Sequence, residues 1–160
     1  MKKQIINETF SLQIPDSFEI LSETTLLEMY RKSPNPFLWG ARNRENHVVL
    51  LALWKKSPLF LSWVTDLKTV VKKDEQLTRK AYEGYGYRLL EFFSLQAGKE
   101  KAEGYRFSYE KEGIPQISNN FLIRKGSTIY AFFGIGREEN ADADRDLIVR
   151  IMNSLESVDR

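Results

Sequence analysis

A chain of 160 residues that is 42% hydrophobic and 29% charged has the size and balance of one folded domain, able to bury about two-thirds of the surface its unfolded form would expose, and this excludes a disordered chain. Its 24 Lys+Arg against 22 Asp+Glu leave a net charge of +2, too small for a dedicated nucleic-acid binder. The absence of cysteine removes disulfide staples, thiolate zinc sites, iron–sulfur clusters and a Cys nucleophile together. One hydrophobic core spanning residues 1–160 is expected, held by neither disulfide nor metal and carrying no cofactor. Met1 to Glu8 show no apolar stretch behind their basic start, and no apolar run approaches the roughly 20 residues of a bilayer span, so the expectation is a cytoplasmic chain that does not cross a membrane.

Phe10, Leu12 and Ile14 alternate with Ser11 and Gln13, the period of a half-buried strand, and Pro15 ends it because proline has no amide hydrogen for the ladder. Ser22 is placed as an N-cap for a short helix in which Leu26, Leu27 and Tyr30 recur at helical spacing, and the rigid Pro34-Asn35-Pro36 turn follows. Residues 37–44 and 47–55 are rich in aromatic and β-branched side chains around a compact Glu45-Asn46 turn, which predicts a hairpin. The apolar run at 59–64 is too short to assign. A helix is predicted over 66–81, with Leu67, Val70, Val71 and Leu77 on its inner face. Gly84 and Gly86 weaken a helix, yet Tyr87, Leu90, Glu91 and Ser94 keep helical spacing, so the helix is expected to continue past a break or kink near Gly84. Tyr105, Phe107 and Tyr109 alternate with Arg106 and Ser108, and 117–124 and 128–135 follow with Lys125-Gly126-Ser127 between them. These are three consecutive antiparallel strands. Leu147, Ile148, Ile151, Met152 and Leu155 lie on one stripe and give a closing helix over 141–155. The order β-α-β-β-α-β-β-β-α predicts an α+β fold with one antiparallel sheet sandwiched by helices, undivided by repeat or linker.

Catalytic patterns fail one by one. His47 is the single histidine, and no G-x-S-x-G elbow accompanies it, so a Ser-His-Asp triad has no basis. Gly134-Ile135-Gly136 follows a strand and precedes a helix, as a dinucleotide fingerprint would, but Glu139 stands where the third glycine belongs. Asp142, Asp144 and Asp146 have the alternate spacing of a calcium loop, but Leu147 replaces the turn glycine and Asn153 the terminal glutamate. Acidic side chains at a helix N-terminus offset the helix dipole, which accounts for Glu138, Glu139, Asp142 and Asp144 without a ligand. No pair of carboxylates is singled out for glycoside chemistry. The chain reads as a protein that is not an enzyme.

Two features suggest binding instead. Lys68, Lys72, Lys73, Arg79 and Lys80 gather positive charge on the 66–81 helix, which fits a solvated face diluted by Asp66, Asp74 and Glu75, and also fits an acidic partner. An i,i+4 pair of Glu75 with Arg79 would absorb part of that charge. Aromatic residues crowd the middle of the chain; most should be core, and a surplus would form a groove for an apolar ligand or a helix. The candidate partner-binding residues are Trp54, Tyr82, Tyr85, Tyr87, Tyr105 and Phe107. Tyr82, Tyr85 and Tyr87 around Gly84 and Gly86 also form the basis of the alternative, a pocket for a small molecule or a hydrolase substrate.

Four stretches of the chain, Phe10-Ser11-Leu12-Gln13-Ile14-Pro15-Asp16-Ser17-Phe18, Tyr105-Arg106-Phe107-Ser108-Tyr109, Phe121 to Tyr130, and the helix end Ile151-Met152-Asn153-Ser154-Leu155, together resemble the PsbP-like, Mog-type superfamily over nearly the whole length. The resemblance implies an antiparallel sheet sandwiched by helices. Members include photosystem accessory subunits, a Ran-binding nuclear transport factor, envelope proteins of the DcrB type and chaperones for secreted effectors, all of them binders without a shared catalytic constellation. The expectation is a non-enzymatic interaction module or accessory, chaperone-like protein with an unidentified protein partner and no nucleic acid. Exposed sheet edges make a homodimer plausible.

Overall fold

The computed structural model describes residues 1–31, 36–56 and 66–158. The expected turn at Pro34-Asn35-Pro36 falls largely outside these residues, and the apolar run at 59–64 wholly so. The first two strands, β1 (Lys2–Ile6) and β2 (Phe10–Ile14), form a hairpin turned by Asn7 and Glu8. A two-residue strand, β3 (Glu19–Ile20), leads into α1 (Glu23–Met29), where the Ser22 hydroxyl accepts the Thr25 amide hydrogen at 3.1 Å as the N-cap. The hairpin of β4 (Trp39–Asn43) and β5 (Val48–Lys56) follows, with exposed His47 in its turn at φ 57° rather than at the start of the strand.

Helix α2 (Leu67–Ala81) begins at Asp66, whose carboxylate accepts from the Thr69 amide at 2.9 Å. It does not continue past Gly84. Gly84 and Gly86 sit at φ 93° and 70°, a left-handed conformation that ends the helix, and the chain then runs extended as β6 (Arg88–Ala97). Three long strands complete a meander, β7 (Glu100–Lys111), β8 (Ile114–Lys125) and β9 (Thr128–Arg137). A single 3-10 turn precedes α3 (Ala141–Asn153), and β10 (Glu156–Ser157) closes the chain.

The strands form a seven-stranded antiparallel sheet, β3-β4-β5-β9-β8-β7-β6, and a three-stranded antiparallel sheet, β1-β2-β10. The fold is α+β, with helices against the large sheet and the expected element order broadly kept. Strand alternation sends two sets of side chains to opposite faces of that sheet. On one face Leu50, Ala52, Phe121, Ile123, Tyr130 and Phe132 pack with the small sheet and with Ile148, Ile151 and Met152 of α3. On the other, Tyr105, Phe107, Tyr109, Leu122 and Ala131 pack beneath Val71 of α2. Leu26 of α1 joins Leu21 and Leu51 in a third cluster on that side.

The Gly134-Ile135-Gly136 run is a seat for α3 rather than a phosphate turn. A Cβ at Gly134 would stand 2.5 Å from Ile148 Cδ1, and one at Gly136 would collide with the Asp144 carboxylate. Asp142 and Asp146 stay exposed while Asp144 turns inward, so the three aspartates do not converge. The inner face of α2 also differs from its expected composition, because Leu77 is 70% exposed and Glu75 is buried in its place.

Candidate functional site

Because β6 is a strand, α2 and the sheet's outer edge stand side by side, and a depression opens between them. Gln76, Arg79 and Lys80 come from α2, Gly84 and Gly86 from the turn, and Tyr87, Arg88 and Leu89 from the start of the edge strand. The depression encloses about 790 Å³ and is open to solvent along its length. Arg79, Lys80 and Arg88 bring three positive charges to it, against the single carboxylate of Glu83. Lys80 and Arg88 have no ion-pair partner among the described residues.

Arg79 is held from below. Its guanidinium pairs with Glu75, itself 2% exposed, and lies 5.6 Å from the centre of the Tyr87 ring. That supports a cation over an aromatic face and fixes where the Arg79 charge is presented. Burial, with the Glu75 charge adding to it, pushes the Tyr87 phenol up to about 12, so it keeps its proton throughout the physiological range.

Behind the depression lies a polar chain that crosses three elements. Ser118 Oγ donates to Asn120 Oδ1 at 2.6 Å, and Asn120 Nδ2 donates to the Tyr105 hydroxyl at 3.1 Å. The Tyr105 hydroxyl donates to Asp74 Oδ2 at 2.7 Å, so Thr78 Oγ1, also at 2.7 Å, must be the donor to the Tyr105 oxygen. Burial raises the Asp74 carboxyl above its ordinary range, with the Tyr105 hydrogen bond acting against it. Asp74, Thr78 and Tyr105 do not line the depression. Their arrangement clamps α2 to β7 and β8.

The six sequence candidates divide among three environments. Trp54 packs 6.0 Å from Tyr130 on the face that carries α3, away from the others. Tyr105 and Phe107 are 0% and 1% exposed, stacked 5.9 Å apart beneath α2, so their side chains are core and reach no surface. Tyr82 and Tyr87 are half-buried on Phe107, at 5.3 and 4.9 Å between ring centres. Tyr85 extends the cluster outward, 6.2 Å from Tyr82 and 52% exposed. Of the three tyrosines expected to line a pocket only Tyr87 does so, and the open depression gives the small-molecule or hydrolase alternative no enclosed site. Among the described residues no group of three or more His, Cys, Asp or Glu could hold a metal ion, and no helix is long and apolar enough to cross a membrane.

Arg88 and Leu89 were not legible as site residues, since they were expected on a helix. Alternation of Phe93, Leu95 and Ala97 with Ser94 and Gln96 was the available signal for the edge strand.

Comparison with known proteins bears on the fold. No family model matches the chain, and no curated protein matches it. Among solved structures it is similar to the cyanobacterial PsbP, CyanoP, of Synechocystis sp. PCC 6803, at 10% identity and a TM-score of 0.70, covering 98% of this chain and 91% of that one. It is also similar to LpqN, a protein involved in cell envelope biogenesis of Mycobacterium tuberculosis, at 14% identity and a TM-score of 0.61, covering 92% of this chain and 82% of that one. A protein from Bacteroides thetaiotaomicron matches at 11% identity and a TM-score of 0.57, with 98% of this chain aligned to 48% of that one. The architecture of two helix-covered antiparallel layers is therefore the PsbP-like fold.

Proposed function

We propose that this protein is a non-enzymatic accessory module that binds a protein partner at the junction of α2 and β6. The observation that carries the reading is an aromatic cluster running from the core to the surface, from Tyr105 and Phe107 through Tyr82 to the exposed ring of Tyr85, next to a basic depression. An exposed tyrosine backed by packed rings loses little side-chain freedom on binding and offers both an apolar face and a hydroxyl, the properties that favour tyrosine at interfaces. The fold it shares with CyanoP and LpqN is compatible with this reading, and no partner is carried over from either.

The test is recovery of tagged protein from its native host, wild type beside Tyr85→Ser, a surface change that leaves the buried rings in place. One protein recovered in near-equal amount with the wild type, and lost with the variant, is the expected result. If nothing is enriched over background, or the variant recovers the same protein equally well, this interface is wrong.

A further inference from the structure

The structure points to the chemistry of that partner: we infer that an extended acidic segment of another protein adds to the open edge of β6 and lays alternate carboxylates against α2. The inference rests on the binding-module reading and deepens it. Three observations meet at this edge.

First, among the described residues β6 is an end of the seven-stranded sheet and is ten residues long, whereas the opposite end, β3, has two. An edge strand leaves every second backbone amide and carbonyl unpaired, and such a row is a template for another strand. Ten residues span about 33 Å, long enough for a full added strand. Edges that must stay unpaired are usually blunted by proline, by inward charge or by a covering element. None of its ten residues is a proline, and its side chains include an exposed Phe92 at 46%.

Second, the wall above this edge is basic. Arg79 and Lys80 of α2 and Arg88 of β6 line the depression, and Lys72 lies about two turns back along the helix. In an added strand, side chains on one face recur about every 6.8 Å, so carboxylates at alternate positions would meet these cations in turn. Apolar or small residues between them would face the other way. Leu89 and the exposed Phe92 ring lie on the α2 side of β6, beside Phe107 and Tyr105, where they would touch the aliphatic stems of those acidic side chains.

Third, the arrangement disfavours a second copy at this edge. Self-pairing of β6 about a two-fold axis normal to the sheet would place both α2 helices on one face, basic wall toward basic wall. Like charges so opposed cost free energy, and β6 itself offers one carboxylate, Glu91, already paired with Arg106 and Arg145. An acidic strand suffers neither conflict.

The probe is a ten-residue peptide alternating glutamate with threonine, titrated into the full chain at low salt, with backbone hydrogen exchange read residue by residue. Controls are the same peptide with lysine for glutamate, the glutamate peptide N-methylated at alternate amides, and inorganic phosphate. Binding of the glutamate peptide with slowed exchange along β6 is expected, weakened about tenfold or more in Lys80→Glu/Arg88→Glu, two exposed positions remote from the core. The N-methylated and lysine peptides should not protect β6. Equal binding of the N-methylated peptide would reduce the contact to charge alone and overturn strand addition. Protection by phosphate, or no protection of β6 by any probe, would overturn it as well. If the host partner is captured normally by Lys80→Glu/Arg88→Glu but not by Tyr85→Ser, the acidic-strand inference falls and the binding module stands; if no partner is captured at all, the module reading falls with it.

Discussion

Asp144 is a carboxylate turned under the first turn of α3, 7% exposed, with its Oδ2 facing Gly136 and, among the described residues, without a hydrogen-bond partner on that oxygen. Burial raises its carboxyl to about 6, above an ordinary value near 3.8. A raised acid stabilises the folded state where it is protonated, so its penalty is absent below about pH 4, grows as pH rises toward 6, and is complete above that. Asp144→Asn should therefore raise stability by about 1–3 kcal/mol at pH 7 and by almost nothing at pH 3.5, a difference that urea titrations at the two pH values would read. Gain of the same size at both would mean that packing, not charge, limits the site. Tyr105→Phe acts the other way: it strips the donor from buried Asp74 and the acceptor from Asn120 and Thr78, and should cost about 1–3 kcal/mol by the same titration. A neutral result would mean that water or a rotated Thr78 replaces the phenol.

Between elements, the close approach of α3 to β9 is testable as a pair. Gly134→Ala should destabilise by about 1–3 kcal/mol because its Cβ would meet Ile148 Cδ1 at 2.5 Å. Ile148→Val removes that Cδ1, so the double variant should be more stable than the sum of the two losses predicts, with coupling of about 0.5 kcal/mol or more. Additive losses would show that α3 shifts bodily to admit the methyl group. Most of this layer was readable in advance: alternation at 105–109, 117–124 and 128–135 and the stripe from Leu147 to Leu155 correspond to β7, β8, β9 and α3. The failure at β6 has a physical cause. Its pairing with β7 slips between Leu89 and Glu91, so the period of two is broken, and apolar residues at 89, 90, 92, 93 and 95 imitate helical spacing. The candidate site inherited that error. Charges on α2 could be listed from the sequence, but the strand forming its other wall could not. Likewise the alternation of Tyr105, Phe107 and Tyr109 says that they share a face, and only the position of α2 says that the face is covered.

At the scale of the whole molecule, the two ends of the large sheet are unequal, and the long one is flanked by positive charge. Sedimentation velocity at low salt should accordingly show one species whose coefficient does not change with protein concentration, and a rising coefficient would mean that the copies pair despite the repulsion at β6. Hydrogen exchange should be slowest in β5, β8 and β9, the most central strands, and faster at the ends, β3 and β6. Any change of that ranking toward a slow β6 in the isolated protein would place something already on the edge. The inequality of the ends also sets a valency. The large sheet can receive a strand along ten residues at one end and along only two at the other. Filaments need a donor edge and an acceptor edge on every unit. With one long edge in its large sheet, this protein would take up one extended acidic segment in a complex of fixed stoichiometry.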